Sequence, residues 1–242
     1  MSRPFDAKRT AAPHRVGTWH TFGMFKGFTA EALEFYEGLE ADNSKPYWTD
    51  HKSVFDTHVK AAMASLLESM PTSYQPFHVF RPHRDVRFSK DKSPYKTVHG
   101  ATSESDGGSI YYTHLSTAGV FVAAGMYSLE TDQVARLRAA IADDRTGSEV
   151  VKLIKALEKQ GLRVGPGMNE PLKTTPKGYA PDHPRIELLR WKGLIAATEI
   201  TDESVVTSPA VREQILAFWK AAAGLVSWLD KHVGPTTTPR SR

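Results

Sequence analysis

The chain contains no cysteine. That excludes disulfides, thiolate catalysis and cysteine-based zinc sites together. It also lacks any run of about 18 apolar residues, so no segment reads as a membrane-spanning helix. The first residues carry no apolar h-region, and we expect no secretory signal and a cytoplasmic location. Three nucleotide and hydrolase patterns are missing: GxxxxGK[ST], a strand-linked GxGxxG and GxSxG. Gly165-Pro166-Gly167 is a turn without the context those motifs need. P-loop hydrolysis, dinucleotide oxidoreduction and α/β-hydrolase chemistry are therefore disfavoured, and no cofactor is expected.

What is present is ordinary globular composition. The 242 residues are 40% hydrophobic and 24% charged, enough to bury a substantial core. The formal net charge of +4 is unevenly placed. Arg3, Lys8, Arg9 and Arg15 make the N-terminus basic, and Lys231, Arg240 and Arg242 do the same at the other end. The third basic segment is internal, at residues 81–96. The remainder is mildly acidic, which argues against a broad nucleic-acid surface. Residues 1–16 and 234–242 read as disordered tails. With no repeat or linker between them, we expect one α+β domain over residues 17–233.

Periodicity outlines that domain. Thr29 is placed to cap a first helix, with Phe28 and Leu33 at staple spacing. Phe55, Val59, Ala62, Leu66 and Met70 mark a second helix over 51–69, ended by Pro71. The pattern then changes to alternation through Phe77, Val79 and residues 86–88, then 98–102, 110–115 and 120–124. A turn at 106–109 and short connections make these a four-stranded antiparallel meander. Helices return near Val134–Ile141 and Val150–Leu157, the latter ending at Gly161. Asp182 with Pro184 predicts a short helix, residues 195–200 a further strand, and Ser208-Pro209 the start of a long last helix. Its stripe is Val211, Ile215, Phe218, Leu225 and Leu229. Trp191, Trp219 and Trp228 are read as core. Helices, then strands, then helices give an α+β class: an antiparallel β-meander sheet flanked by N- and C-terminal helices.

The most informative stretch runs from Arg84 to Lys96: Arg84-Asp85-Val86-Arg87-Phe88-Ser89-Lys90-Asp91-Lys92-Ser93-Pro94-Tyr95-Lys96. Strand geometry sends Val86 and Phe88 one way and Asp85 and Arg87 the other. Several cations so close repel one another unless carboxylates or a bound anion offset them. The favoured reading is a site for a small anionic ligand, phosphate- or carboxylate-bearing. Arg84, Arg87, Lys90, Lys92 and Lys96 would hold it, Asp85 would orient an Arg, and Tyr95 would offer a hydroxyl. The alternative is an interaction module that uses the basic loop to meet an acidic protein or nucleic-acid partner. A purely structural lattice of ion pairs is the third reading, with Asp85 paired to Arg87 and Asp91 to Lys90 or Lys92.

This run resembles that of the family called domain of unknown function 2461, Arg-Asp-Val-Arg-Phe-Ser-Lys-Asp-Lys-x-Pro-Tyr-Lys, matched throughout residues 84–96. Residues 25–27, 42–48, 111–114, 119–125 and 172–189 resemble other segments of the same family. Pro82-His83 and Tyr47-Trp48 depart from its pattern. The resemblance implies an α+β domain and implies no activity. No catalytic residue is assigned.

Two further candidates stand outside the run. His114 shares a strand face with Tyr112 and reads as a buried, hydrogen-bonded histidine, with general base as the alternative. Lys177 lies in a Pro-Lys-Gly-Tyr turn where Gly178 permits close backbone approach. His78, His83, His99 and His114 are spread over several strands without carboxylates at fixed spacing, so no metal site is expected.

Overall fold

The computed structural model describes residues 25–87 and 90–238. The expected tail at residues 1–16 lies outside them. The chain enters through Phe28, whose amide donates to the Val206 carbonyl at 3.0 Å. Helix α1 (Ala30–Ala41) follows Thr29 as expected, but the Thr29 hydroxyl bonds His58 Nδ1 at 3.0 Å and leaves the helix uncapped. The second helix starts earlier than its apolar stripe, as α2 (Lys45–Val54). Ser44 accepts from the Tyr47 amide at 3.3 Å, and Pro46 occupies the first turn, a start signal that periodicity does not register. It continues through a π-helical turn (Phe55–Lys60) into α3 (Ala61–Glu68).

Among the described residues the sheet is antiparallel and six-stranded. In chain order the strands are β1 (His78–Val79), β2 (His99–Glu104), β3 (Ile110–Ser116), β4 (Gly119–Met126), β5 (Arg163–Gly165) and β6 (Leu194–Ile200). In space they run β1-β2-β3-β4-β6-β5. The expected meander is its first four strands. β6 pairs with β4, and β5 forms the far edge; three residues are too few for an alternation signal. The expected strand at 86–88 is a correction. Beyond β1 the pairing ends at a bridge between His83 and Tyr95, because Pro94 has no N–H to continue a ladder; Val86 is in no strand, and Phe88 lies outside the described residues.

Between β4 and β6 come α4 (Thr131–Ala142), α5 (Asp144–Glu158) and α6 (Ile186–Leu189); α7 (Glu203–Val206) and α8 (Ala210–His232) follow. The helix expected at Asp182 starts later, at Ile186. The intervening turn delivers Arg185 to the end of α4, where its guanidinium donates to the carbonyls of Ile141 at 2.6 Å and Ala142 at 2.9 Å. Those carbonyls have no helical partner of their own.

Strand register sorts side chains onto two faces. Ala101, Thr113 and Val122 form one row, and His99, Leu115, Val120 and Ile200 another. All are buried on the helical side. Helix α8 packs there with its expected stripe. Trp219 is fully buried between Tyr74 and Tyr111, with centroids 5.0 and 5.6 Å away; Trp191 sits half-buried at the core margin.

The expected C-terminal tail is described only as far as residue 238. Residues 234–238 are tied to α4. Thr236 and Thr237 hydroxyls donate to Asp132 at 2.8 and 3.0 Å, and Gln133 donates to the Gly234 carbonyl at 2.9 Å. The polar composition that suggested a solvated tail supplies these hydrogen bonds. Among the described residues, no helix is long and apolar enough to cross a membrane.

Gly27 marks where the chain entry meets the α7–α8 junction. Its φ is 111°, and a Cβ there would collide with Ser208 N and the Thr207 carbonyl group. Gly27→Ala should destabilise the protein by more than about 1 kcal/mol in urea unfolding; an unchanged midpoint would contradict this packing.

Candidate functional site

The basic run folds as a hairpin-like loop closed by backbone bonds. The Arg84 amide donates to the Pro94 carbonyl at 2.9 Å and the Lys96 amide to the Pro82 carbonyl at 2.8 Å. Its base is fastened to the N-terminal helices by Asn43. The Asn43 amide group donates to the Tyr95 carbonyl, and its oxygen accepts the Tyr95 N–H, both at 3.0 Å. Tyr95, expected to offer a hydroxyl to a ligand, is a core residue instead. Its ring stacks on Trp48 with centroids 4.3 Å apart.

The charges of the loop are largely matched within it. Arg87 grips Asp85 bidentately, at 2.7 and 3.0 Å. Arg84 pairs with Asp91, and Lys92 donates to the Val86 carbonyl at 2.9 Å. Lys90 is exposed. The hydrogen bonds from Arg87 hold the Asp85 carboxyl down at about 2. Those from Ser93, then Arg84, hold Asp91 at about 2 as well.

Among the described residues of the run, only Lys96 lines a large cavity on the opposite face of the sheet from the helices. This depression has a volume of about 840 Å³. Strands and loops form it, and no described helix contributes to its lining. Small residues make its floor: Gly100 and Ala123 lie in adjacent rows, between Phe80 and Phe121 and the exposed rim of Tyr127 and Met168. A Cβ on Gly100 would stand 2.8 Å from His114 Cβ and 3.2 Å from the Tyr112 hydroxyl, so glycine leaves room for that pair.

The polar groups of the cavity are few. His114 Nδ1 and the Tyr112 hydroxyl share a hydrogen bond at 2.9 Å, and His114 stacks on Phe121. Burial pushes the imidazole down to about 4, against a weaker opposing pull from Glu199. Burial raises Tyr112 to about 12. At neutral pH the pair is therefore uncharged and exchanges hydrogen bonds; protonated imidazole is scarce. Lys96 reaches over the Phe80 ring, 5.2 Å from its centroid. Burial, then Arg81, lowers its pKa.

The structure thus brings Lys96 and His114 into one cavity, and pairs Arg84, Asp85, Arg87 and Asp91 among themselves. Lys177 is exposed in the turn at 176–179 and does not line that cavity. Among the described residues, no three His, Asp or Glu side chains are grouped to hold a metal ion. Phe80 and Asn43 carry no signal of their own in the sequence, because their partners are distant along the chain.

A family model described as conserved hypothetical protein (DUF2461) matches residues 31–228. The chain belongs to this family. In this DUF2461 member the match includes the hairpin and all the strands of the sheet. No curated protein and no solved structure matches the chain.

Two outcomes follow for the hairpin. Asn43→Ala orphans both backbone groups of Tyr95 and should cost about 1–3 kcal/mol in urea unfolding; no loss would show that Asn43 does not fasten the loop. Asp85 and Asp91 have folded pKa values below the unfolded value near 3.8. Their stabilisation is complete above that value and fades as pH falls toward about 2. Carboxyl carbon NMR should show both midpoints near 2, shifting toward ordinary values in Arg87→Ala for Asp85; ordinary midpoints in the parent would refute the pairing.

Proposed function

We propose that this DUF2461 protein binds a small amphipathic carboxylate in the cavity on the sheet face that no described helix covers, with Lys96 meeting the carboxylate. The observation that carries this reading is the cavity itself. Its size is that of a small-molecule site, and convergent polar groups are few within apolar walls. One ammonium in such surroundings complements a single negative charge, and its attraction is stronger there than in water. The neutral Tyr112–His114 pair supplies hydrogen bonds to a further polar group of the ligand. The apolar body lies against Phe80, Phe121 and the Ala123 floor.

Decanoate and its uncharged counterpart decanol test this by calorimetric titration of the full chain. Decanoate should bind saturably and raise the melting temperature by mass action. Lys96→Met should weaken decanoate about tenfold and leave decanol unchanged, as expected for loss of one charge-assisted bond. Ala123→Phe should fill the floor and remove both. Binding indifferent to both substitutions overturns the reading. So does a chain whose mass doubles with concentration and which takes no decanoate, since a second copy then covers this face.

A further inference from the structure

Residue His99 points away from that cavity, into the helical side of the sheet. Its exposure is 3%, and neither ring nitrogen has a hydrogen-bond partner. A buried imidazole always carries at least one N–H, and leaving it unmatched is costly unless something else occupies the space beside it. Such a space exists. His99 lines a cleft of about 410 Å³ between the π-helical turn and the segment that leads from β1 into the basic hairpin.

The cleft has a definite chemistry. Trp48, Phe55 and Phe80 give it aromatic walls, with the Phe55 ring edge-on to His99 at 5.3 Å. Lys52, Lys60 and Arg81 bring cations, and Asp56 is the carboxylate that lines it. Asp56 is taken by Lys52. Among the described residues, Lys60 and Arg81 form no ion pair, so two positive charges are left to the cleft. His99 is uncharged at neutral pH, because burial first, then Lys60 and Lys96, lower it to about 4. It therefore adds a donor and an acceptor, not a third charge. The helix is also widened here into a π turn, a feature that recurs at functional sites.

We infer that this cleft is a second ligand site, for a phosphomonoester: Lys60, Arg81 and the His99 ring N–H meet the phosphoryl oxygens, and the aromatic walls take the apolar group. Two unmatched cations suit a phosphomonoester near its dianionic form better than a carboxylate. The cleft is also larger than an inorganic oxyanion needs and falls within the range of small organic ligands. It stands on the other face of the sheet from the proposed carboxylate site and does not depend on it.

Phenyl phosphate is the probe, titrated into the full chain near pH 7 by calorimetry and by ¹⁵N NMR of the histidine rings. It should bind saturably and shift the ring resonances of His99. Inorganic phosphate lacks the apolar group and benzoate the second charge, so each should bind at least about tenfold more weakly. Lys60→Met with Arg81→Met should abolish binding with an unchanged circular dichroism spectrum; both residues are exposed, so this variant decides even if His99→Phe fails to fold. Where His99→Phe folds, it should weaken phenyl phosphate about tenfold. Decanoate binding should be the same in the double variant as in the parent, which separates this site from the larger cavity. No binding, binding untouched by the double variant, an unmoved His99 signal, or displacement of phenyl phosphate by decanoate each overturns the inference.

Discussion

The strands of an antiparallel sheet point alternate side chains to opposite faces, and the described helices cover only one of them. Everything else depends on that one-sided burial. Leu115, Val120 and Val122 belong to the buried core, and α8 packs against β4 on that side. Their strand neighbours Tyr112, His114, Phe121 and Ala123 face the other way. That face is nevertheless rich in aromatic and apolar groups, and its centre is kept low by Gly100 and Ala123. Among the described residues, a sheet face of this composition without a helix over it presents apolar surface that an ordinary solvated face does not.

Charge in the hairpin follows a different logic. Six cations lie within residues 81–96, and their repulsion is relieved locally. Asp85 and Asp91 each bind one Arg and also cap a backbone N–H, of Arg87 and Ser93 respectively. These carboxylates are exposed, where ion pairs contribute little to global stability. Their main effect is on the shape of the loop. Attachment to the rest of the molecule comes from neutral interactions: the two Asn43 hydrogen bonds and the Trp48–Tyr95 stack. Of the remaining cations, Lys92 donates to the Val86 carbonyl, Lys90 is exposed, Lys96 lies over Phe80, and Arg81 lines the cleft beside the π turn.

Strand β2 links the two proposed sites. His99 and Gly100 are adjacent, yet one faces the cleft beside the π turn and the other the cavity on the opposite face. Phe80, whose amide donates to the Gly100 carbonyl at 2.9 Å, lines both. The shape of each site therefore rests on the pairing of this one sheet edge, held in place by the hairpin that follows it.

The class of fold was legible in the sequence because its signals are local. Alternation at 98–102, 110–115 and 120–124, and the apolar stripe from Val211 to Leu229, report burial one residue at a time along a single element. The run at 84–96 was legible too, since its charges are contiguous, and so was the shared face of Tyr112 and His114. The missed elements had no local period to show: β5 is three residues long, and α2 begins on a cap and a proline instead of an apolar stripe. Only the tertiary structure decided which sheet face the helices cover. It alone set Asn43 against Tyr95, Arg185 on the end of α4, residues 234–238 against Asp132, and His99 in a cleft with Lys60 and Arg81. The physical reason is common to all of these. A hydrogen bond, a burial or a cavity requires two surfaces brought together in space, and these surfaces come from parts of the chain whose separation leaves no trace in either segment by itself.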